Sequence, residues 1–258
     1  MDWLYPLSGF VVGAIVGLTG VGGGSLMTPL LVLMFGIHPA TAVGTDLLYA
    51  AITKAGGTAV HARQGHIDWR ITALLASGSI PASVVTIWVL SFLPKQSPAV
   101  SQVISVSLGI ALLLTALAIV FRQKLQRYAL SCADDRTHTR FQSPTTVGIG
   151  VILGILVTVS SVGAGALGVA VLFFLYPKLP AIRIVGSDLA HAVPLTLVAG
   201  VGHWVIGGMD WSLLGSLLLG SLPGIWLGSH VSAKVPERVL RPMLASMLVL
   251  VGGKLVSL

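Results

Sequence analysis

Apolar stretches of about 17 to 25 residues, long enough for a helix to cross a bilayer, recur along the chain between short polar segments. The clearest run from Ile71 to Leu93, Val100 to Phe121, Leu213 to Val231 and Met243 to Leu258, and eight spans are apparent in all. Leu7 to Phe35 does not fit one crossing, because as a single helix it would be about 43 Å long against a hydrocarbon core of about 30 Å. Gly20-Val21-Gly22-Gly23-Gly24 breaks it in the middle, and Gly163-Ala164-Gly165 breaks a matching stretch later on. Two half-helices fit each opening, either as a broken crossing or as a re-entrant hairpin.

The two openings belong to an internal repeat. Gly44, Asp46, His61, Gly65, Asp68, Trp69, Gly78, Ser79 and Pro81 return 142 positions later as Gly186, Asp188, His203, Gly207, Asp210, Trp211, Gly220, Ser221 and Pro223. Upstream the shift is 141 and pairs Gly9, Gly13, Gly22 and Gly24 with Gly150, Gly154, Gly163 and Gly165. The chain therefore divides into a first membrane repeat (1–121), a polar, basic cytoplasmic connector (122–143) and a second membrane repeat (144–258). The start, Met1-Asp2-Trp3-Leu4, lacks the basic region of a secretory signal, so the first apolar stretch is expected to stay in the mature protein.

Charge chooses between the two topologies. If the openings are hairpins, each half has three full crossings and the halves are inverted. Twelve Lys and Arg then share one side against Lys95 and Lys254 on the other, whereas crossing openings give eight against six. The positive-inside rule favours the first. The expected fold is an all-α polytopic membrane protein, two homologous halves in an inverted repeat, each a Gly-broken re-entrant helix pair plus three spanning helices. Secondary transporters recurrently use this plan, with substrate held near the midplane.

Composition agrees. Of 258 residues 55% are apolar and only 9% charged, against about 25% charged in a soluble domain, and the mean hydropathy is +0.94. The net charge of +7 sits in the loops, where it sets orientation rather than binding nucleic acid. The one cysteine, Cys132, excludes an intrachain disulfide and reads as a loop residue. No metal-ligand spacing, phosphate loop or nucleophile motif is present, so neither a cofactor nor an enzymatic reaction is expected.

Candidate chemistry gathers at the breaks. A half-helix whose N-terminus points into the membrane presents free N–H groups and the positive end of its dipole to an anion, and glycine lets the backbone approach a ligand. Thr19, Gly22, Gly23, Gly24 and Ser25 at the first tip, with Ser160, Ser161, Gly163 and Gly165 at the second, are the substrate-binding candidates. The same glycines would serve close helix packing. Asp46 and Asp188 sit in the repeated Val-Gly-Thr/Ser-Asp-Leu and are candidates for proton coupling or for shaping the cavity, since intramembrane carboxylates are costly; the competing reading is a helix N-cap. Thr45 and Ser187 accompany them. Lys54, eight residues after Asp46, is the one lysine deep in an apolar segment and is expected to pair with it or to attract an anion. His61 and His203 are further candidates near the ends of their spans. Asp68-Trp69 and Asp210-Trp211 read as interface markers, with Asp capping the next helix.

The set Gly20-Val-Gly-Gly-Gly-Ser25, Pro29-Leu-Leu, Pro39-Ala-Thr-Ala-Val-Gly-Thr-Asp-Leu47 and Gly65-His-Ile-Asp-Trp69 resembles the TauE/SafE family of sulfite and organosulfur-anion exporters over nearly the whole chain. The resemblance implies a small inorganic or organosulfur anion as substrate, and the bacterial inner membrane as location, with lipid as the surroundings. The second half departs from the pattern, because Ser161-Val-Gly-Ala-Gly-Ala166 lacks the triple glycine. Proton-coupled export is the leading expectation. A passive anion channel and an intramembrane aspartyl hydrolase are the alternatives.

Overall fold

The computed structural model describes residues 3–19, 24–94, 97–131, 138–232 and 237–257, and among these the architecture is all-helical. The first half comprises α1 (Leu4–Thr19), α2 (Gly24–Leu33), α3 (Pro39–Arg63), α4 (Trp69–Ser91) and α5 (Pro98–Ser131). The second comprises α6 (His138–Ser160), α7 (Ala166–Leu175), α8 (Ala181–Val205), α9 (Trp211–Ser232) and α10 (Glu237–Val256). Five stretches, in α4, α5, α6, α8 and α9, are long and apolar enough to cross a membrane, and Leu4–Leu18, Ala166–Leu175 and Pro242–Val256 are shorter apolar helices. α3 matches α8 in length but is more polar, carrying Asp46, Lys54 and Arg63. Trp69, Trp88, Trp204, Trp211 and Trp226 lie exposed on the outer surface among aliphatic side chains, as lipid-facing positions require. The segment read as a connector is helical up to Ser131 and again from His138; Cys132 lies outside the described residues.

In each half a helix that ends before the glycine-rich stretch is followed by a shorter one that folds back toward its start, α2 after α1 and α7 after α6. Tyr5 at the start of α1 and Phe35 just beyond α2 stack with ring centroids 4.9 Å apart. In the second half Gln142 Nε2 donates to the Leu175 carbonyl at 2.5 Å, and the hydroxyls of Thr146 and Tyr176 are 2.8 Å apart. The outer ends of each pair thus sit together, so that α2 returns alongside α1 and α7 alongside α6 as two hairpins. From Tyr5 to Thr19 the first tip lies about 21 Å along α1.

Local signals set the other boundaries. Asp68 caps α4, accepting from the N–H groups of Arg70 and Ile71, and Asp210 caps α9 through Ser212 and Leu213. α3 and α8 end alike: Gly65 (φ 70) and Gly207 (φ 74) adopt the left-handed conformation. The His66 and Gly208 N–H groups then reach back to the His61 and His203 carbonyls, a Schellman closure that only glycine enters without strain.

Packing crosses between the halves. α1 lies on α9 and α6 on α4, while α3 pairs with α8 and α5 with α10. The first two contacts are backbone on backbone: Gly9 and Gly13 face the carbonyls of Leu217 and Ser221, and Gly150 and Gly154 face those of Leu75 and Ser79. These are repeat-equivalent pairs, and a Cβ at any of the four would strike main chain. Without a hydrophobic driving force between lipid-soluble helices, such close approach supplies the dispersion contacts that hold them.

Candidate functional site

The start of α2 and the second hairpin tip converge. Ser25, in the first turn of α2, and Ser161, Gly163, Ala164 and Ala166 of the second tip line one small cavity, closed on a further side by Thr115 of α5. Its volume of about 10 Å³ is room for the centre of a single water-sized sphere. The structure therefore brings together Ser25, Ser161 and Gly163, taken from halves more than a hundred residues apart. Gly24 opens α2; Gly22, Gly23 and the side chain of Thr19 lie outside the described residues.

The second tip is built from an unusual backbone. Ser161 (φ 58), Gly163 (φ 126) and Gly165 (φ 133) all have positive φ, and Gly165 is the N-cap of α7. Ser160 holds the turn: its hydroxyl donates to the Leu156 carbonyl at 2.7 Å and accepts the Val162 N–H at 3.2 Å, so it is spent on its own backbone. Ser161 instead reaches across to the first half and donates to Asp46 Oδ2 at 2.9 Å.

Asp46 and Asp188 are eighth in their helices and fully buried, 0% and 1% exposed. The N-cap positions are His38 and Pro180, so the capping alternative does not hold. Asp46 Oδ2 accepts from Ser161 and from the Thr28 hydroxyl of α2, while its Oδ1 has no partner. Asp188 accepts from the Gly165 N–H at the head of α7, its Oδ1 also unpartnered. It lies so close to α7 that a Cβ at Gly168 would collide with Oδ1. Each half-helix thus has a buried carboxylate at its first turns, where the helix dipole favours negative charge.

Lys54 is buried beside them. Its ammonium donates to the Ala164 carbonyl of the second tip at 2.9 Å and lies within electrostatic reach of Asp188 first and Asp46 second. Among the described residues it makes no ion pair with Asp46, the partner expected from sequence. The centre holds two carboxylates and one ammonium, all buried from bulk solvent, a costly arrangement unless it is used.

The remaining candidates lie further out. The Thr45 hydroxyl accepts the Asp210 N–H at 3.2 Å, and the Ser187 hydroxyl accepts the Asp68 N–H at 2.8 Å. These equivalent bonds tie α3 to the loop before α9 and α8 to the loop before α4. His61 is partly buried, with His66 5.8 Å away centroid to centroid. His203 is buried and donates from Nε2 to the Thr158 carbonyl at 2.9 Å.

Sequence reading missed Thr28, Thr115, Gly168 and His191. His191, one turn after Asp188 and fully buried, hydrogen-bonds Ser79 through Nε2 at 2.8 Å. An ionisable residue deep in an apolar span was the available signal, but matching identical residues across the repeat passes over it, because its equivalent is Tyr49.

Comparison with known proteins places the chain. The family model described as sulfite exporter TauE/SafE matches residues 5–255. A Bacillus subtilis protein named "Probable membrane transporter protein YjnA" is 40% identical over 250 residues, covering 97% of this chain and 98% of that one. A second from the same organism, "Probable membrane transporter protein YdhB", is 27% identical over 93% of this chain and 97% of its own length. "Probable membrane transporter protein MJ0441" of Methanocaldococcus jannaschii is 25% identical over 96% and 93%. No solved structure matches.

Proposed function

From the premise that the chain belongs to the TauE/SafE family and is a membrane transporter, we propose a proton-coupled secondary carrier that exports a small sulfur oxyanion, sulfite foremost, across the bacterial inner membrane. The observation that carries this reading is the shared cavity between Ser25 and the second tip, with a buried carboxylate beside each half-helix start.

In this reading the hairpins are re-entrant, α3, α4, α5, α8, α9 and α10 are the six crossings, and the halves are inverted. The joined outer ends of each hairpin support it, as does the twelve-to-two division of Lys and Arg. The tips then sit within the hydrocarbon layer, and the start of α3 faces the outside.

The anion is held by N–H groups of the α2 and α7 starts, by the Ser25 and Ser161 hydroxyls, and by Lys54. Asp46 and Asp188 oppose it: two like charges about 5 Å apart repel by about 3 kcal/mol at an effective dielectric of 20. Protonating a carboxylate removes that repulsion, so anion and proton bind together and travel together, and export is driven by the anion's own outward gradient, one proton leaving with it. The cavity of about 10 Å³ is too small for an oxyanion, and loading requires the tips to part. This conformation is the closed form between loads.

The test is uptake of sulfite, thiosulfate, sulfoacetate and sulfate into proteoliposomes under an imposed pH gradient. Saturable, gradient-driven flux of a sulfur anion is expected. Flux of none sinks the substrate class and leaves an unassigned transporter.

A further inference from the structure

Among the described residues Ser161 is the one non-glycine with positive φ (58°), a conformation that disfavours any residue with a Cβ. The repeat supplies the comparison. Counting back 141 positions, Ser160 falls on Thr19, Ser161 on Gly20 and Gly163 on Gly22. The first half has glycine where the second keeps a side chain. Strained residues persist where their surroundings hold them, and such places cluster at ligand sites.

The surroundings of Ser161 say what its side chain does. It lines the cavity between the start of α2 and the second tip, and its hydroxyl donates across the halves to Asp46 Oδ2 at 2.9 Å. Asp46 is otherwise held by Thr28 of α2, on the same oxygen, and its Oδ1 has no partner. A serine hydroxyl carries one proton, so Ser161 donates to Asp46 or to an anion in the cavity, never to both. Ser160 has no such choice, because its hydroxyl is turned to the Leu156 carbonyl.

We propose that Ser161 is the switch that ties anion to proton: in the empty site its hydroxyl holds Asp46 as a carboxylate, and in the loaded site it turns to the anion while Asp46 takes up a proton. The role rests on the carrier reading of the same site. A buried carboxylate needs its hydrogen bonds to stay charged, and withdrawing one of two partner residues favours the acid. Ser161 sits on the second tip and Asp46 on α3, so the parting that admits an anion is also the movement that releases this bond. The proton comes from the water that brings the anion and returns to water when the anion leaves. Lys54 and Tyr49 of the same helix are in electrostatic reach of Asp46. α2 and the second tip face it with the Thr28 and Ser161 hydroxyls, and Asp188 of α8 is linked to it through Lys54.

The experiment uses the full chain in lipid nanodiscs and thiosulfate, which does not titrate near neutral pH, so any proton taken up belongs to the protein. Wild-type affinity is expected to fall about 10-fold per pH unit across the coupled range, the linkage of one proton to one anion. Ser161→Gly relieves the backbone and removes the hydroxyl, so Asp46 is already an acid before the anion arrives; its affinity is expected to fall less than about 3-fold per unit. Ser160→Ala disturbs the same turn without touching Asp46 and is expected to keep the full slope. A second readout needs no serine variant to fold. Adding thiosulfate or sulfite to wild type is expected to raise a carboxylic-acid C=O band in the infrared difference spectrum, missing in Asp46→Asn and kept in Asp188→Asn. No such band, or a Ser161→Gly slope equal to wild type, overturns the switch. A steep wild-type slope that survives in Ser161→Gly sinks the switch alone and leaves the carrier standing. A wild type that binds neither anion at any pH sinks both.

Discussion

Asp46 and Asp188 occupy equivalent places in the two halves, yet they are held by different chemistry. Asp46 is met by two hydroxyls, Thr28 from its own half and Ser161 from the other. Asp188 is met by a backbone N–H and lies nearer the charge of Lys54. One turn beyond each carboxylate stands Tyr49 or His191, and Lys54 answers to Thr196, whose hydroxyl turns back to the Ala192 carbonyl. The frame around them has not diverged in this way: Gly13 on Ser221 repeats as Gly154 on Ser79, and Thr45 to Asp210 as Ser187 to Asp68. Contacts between backbones leave no room for variation, so duplication preserves them. A centre that holds one asymmetric load has no reason to stay symmetric.

If the frame is symmetric, breaking it in either half should be equally severe, and this is the largest effect expected. Gly13→Leu and Gly154→Leu should each abolish monodisperse protein on size exclusion. The obstacle is main chain, and the cost exceeds the roughly 1–3 kcal/mol of ordinary overpacking. Survival of one variant but not the other would show that the halves do not contribute equally.

Next come Lys54 and its equivalent. Lys54→Met leaves two carboxylates buried without their cation and should cost about 3–5 kcal/mol in an unfolding titration. Thr196→Val should cost about 1 kcal/mol. Adding Asp188→Asn to Lys54→Met should recover a good part of the loss, and strict additivity would mean that the two do not interact.

A smaller contrast separates the two tip serines. Ser161→Ala removes a hydrogen bond to a carboxylate, worth about 1.5–3 kcal/mol, and Ser160→Ala a neutral one, worth about 1. Smallest of all, Ser161→Gly should be milder than Ser161→Ala by about 1 kcal/mol, because glycine carries no penalty for the positive φ at this position. If the alanine variant is the more stable, the left-handed backbone at Ser161 is not a constraint.

Much of this organisation was legible in the residues. Glycine breaks in overlong apolar stretches marked both hairpins, and repeat-matched Asp-Trp pairs marked the caps of α4 and α9. Matching also singled out Asp46 and Asp188, and the positions of Ser25, Ser161 and Gly163 followed from their neighbourhood to the breaks. What stayed hidden depends on packing across the halves. Nothing local says that Lys54 turns to a carbonyl of the other tip, or that Gly168 is small to admit a carboxylate. Thr28 and Thr115 look like any hydroxyl in an apolar helix, and Thr115 does donate to its own backbone. His191 was obscured by the divergence itself, since a search for repeated identities cannot see a site where the halves differ.

The central claim is that the two carboxylates couple the anion to protons at one place between the tips. Sulfite counterflow and pH-gradient-driven sulfite accumulation, measured side by side in wild type, Asp46→Asn and Asp188→Asn, test it most directly. The account predicts that at least one Asn variant keeps counterflow while losing gradient-driven accumulation by 10-fold or more. Accumulation at wild-type levels in both variants would contradict it.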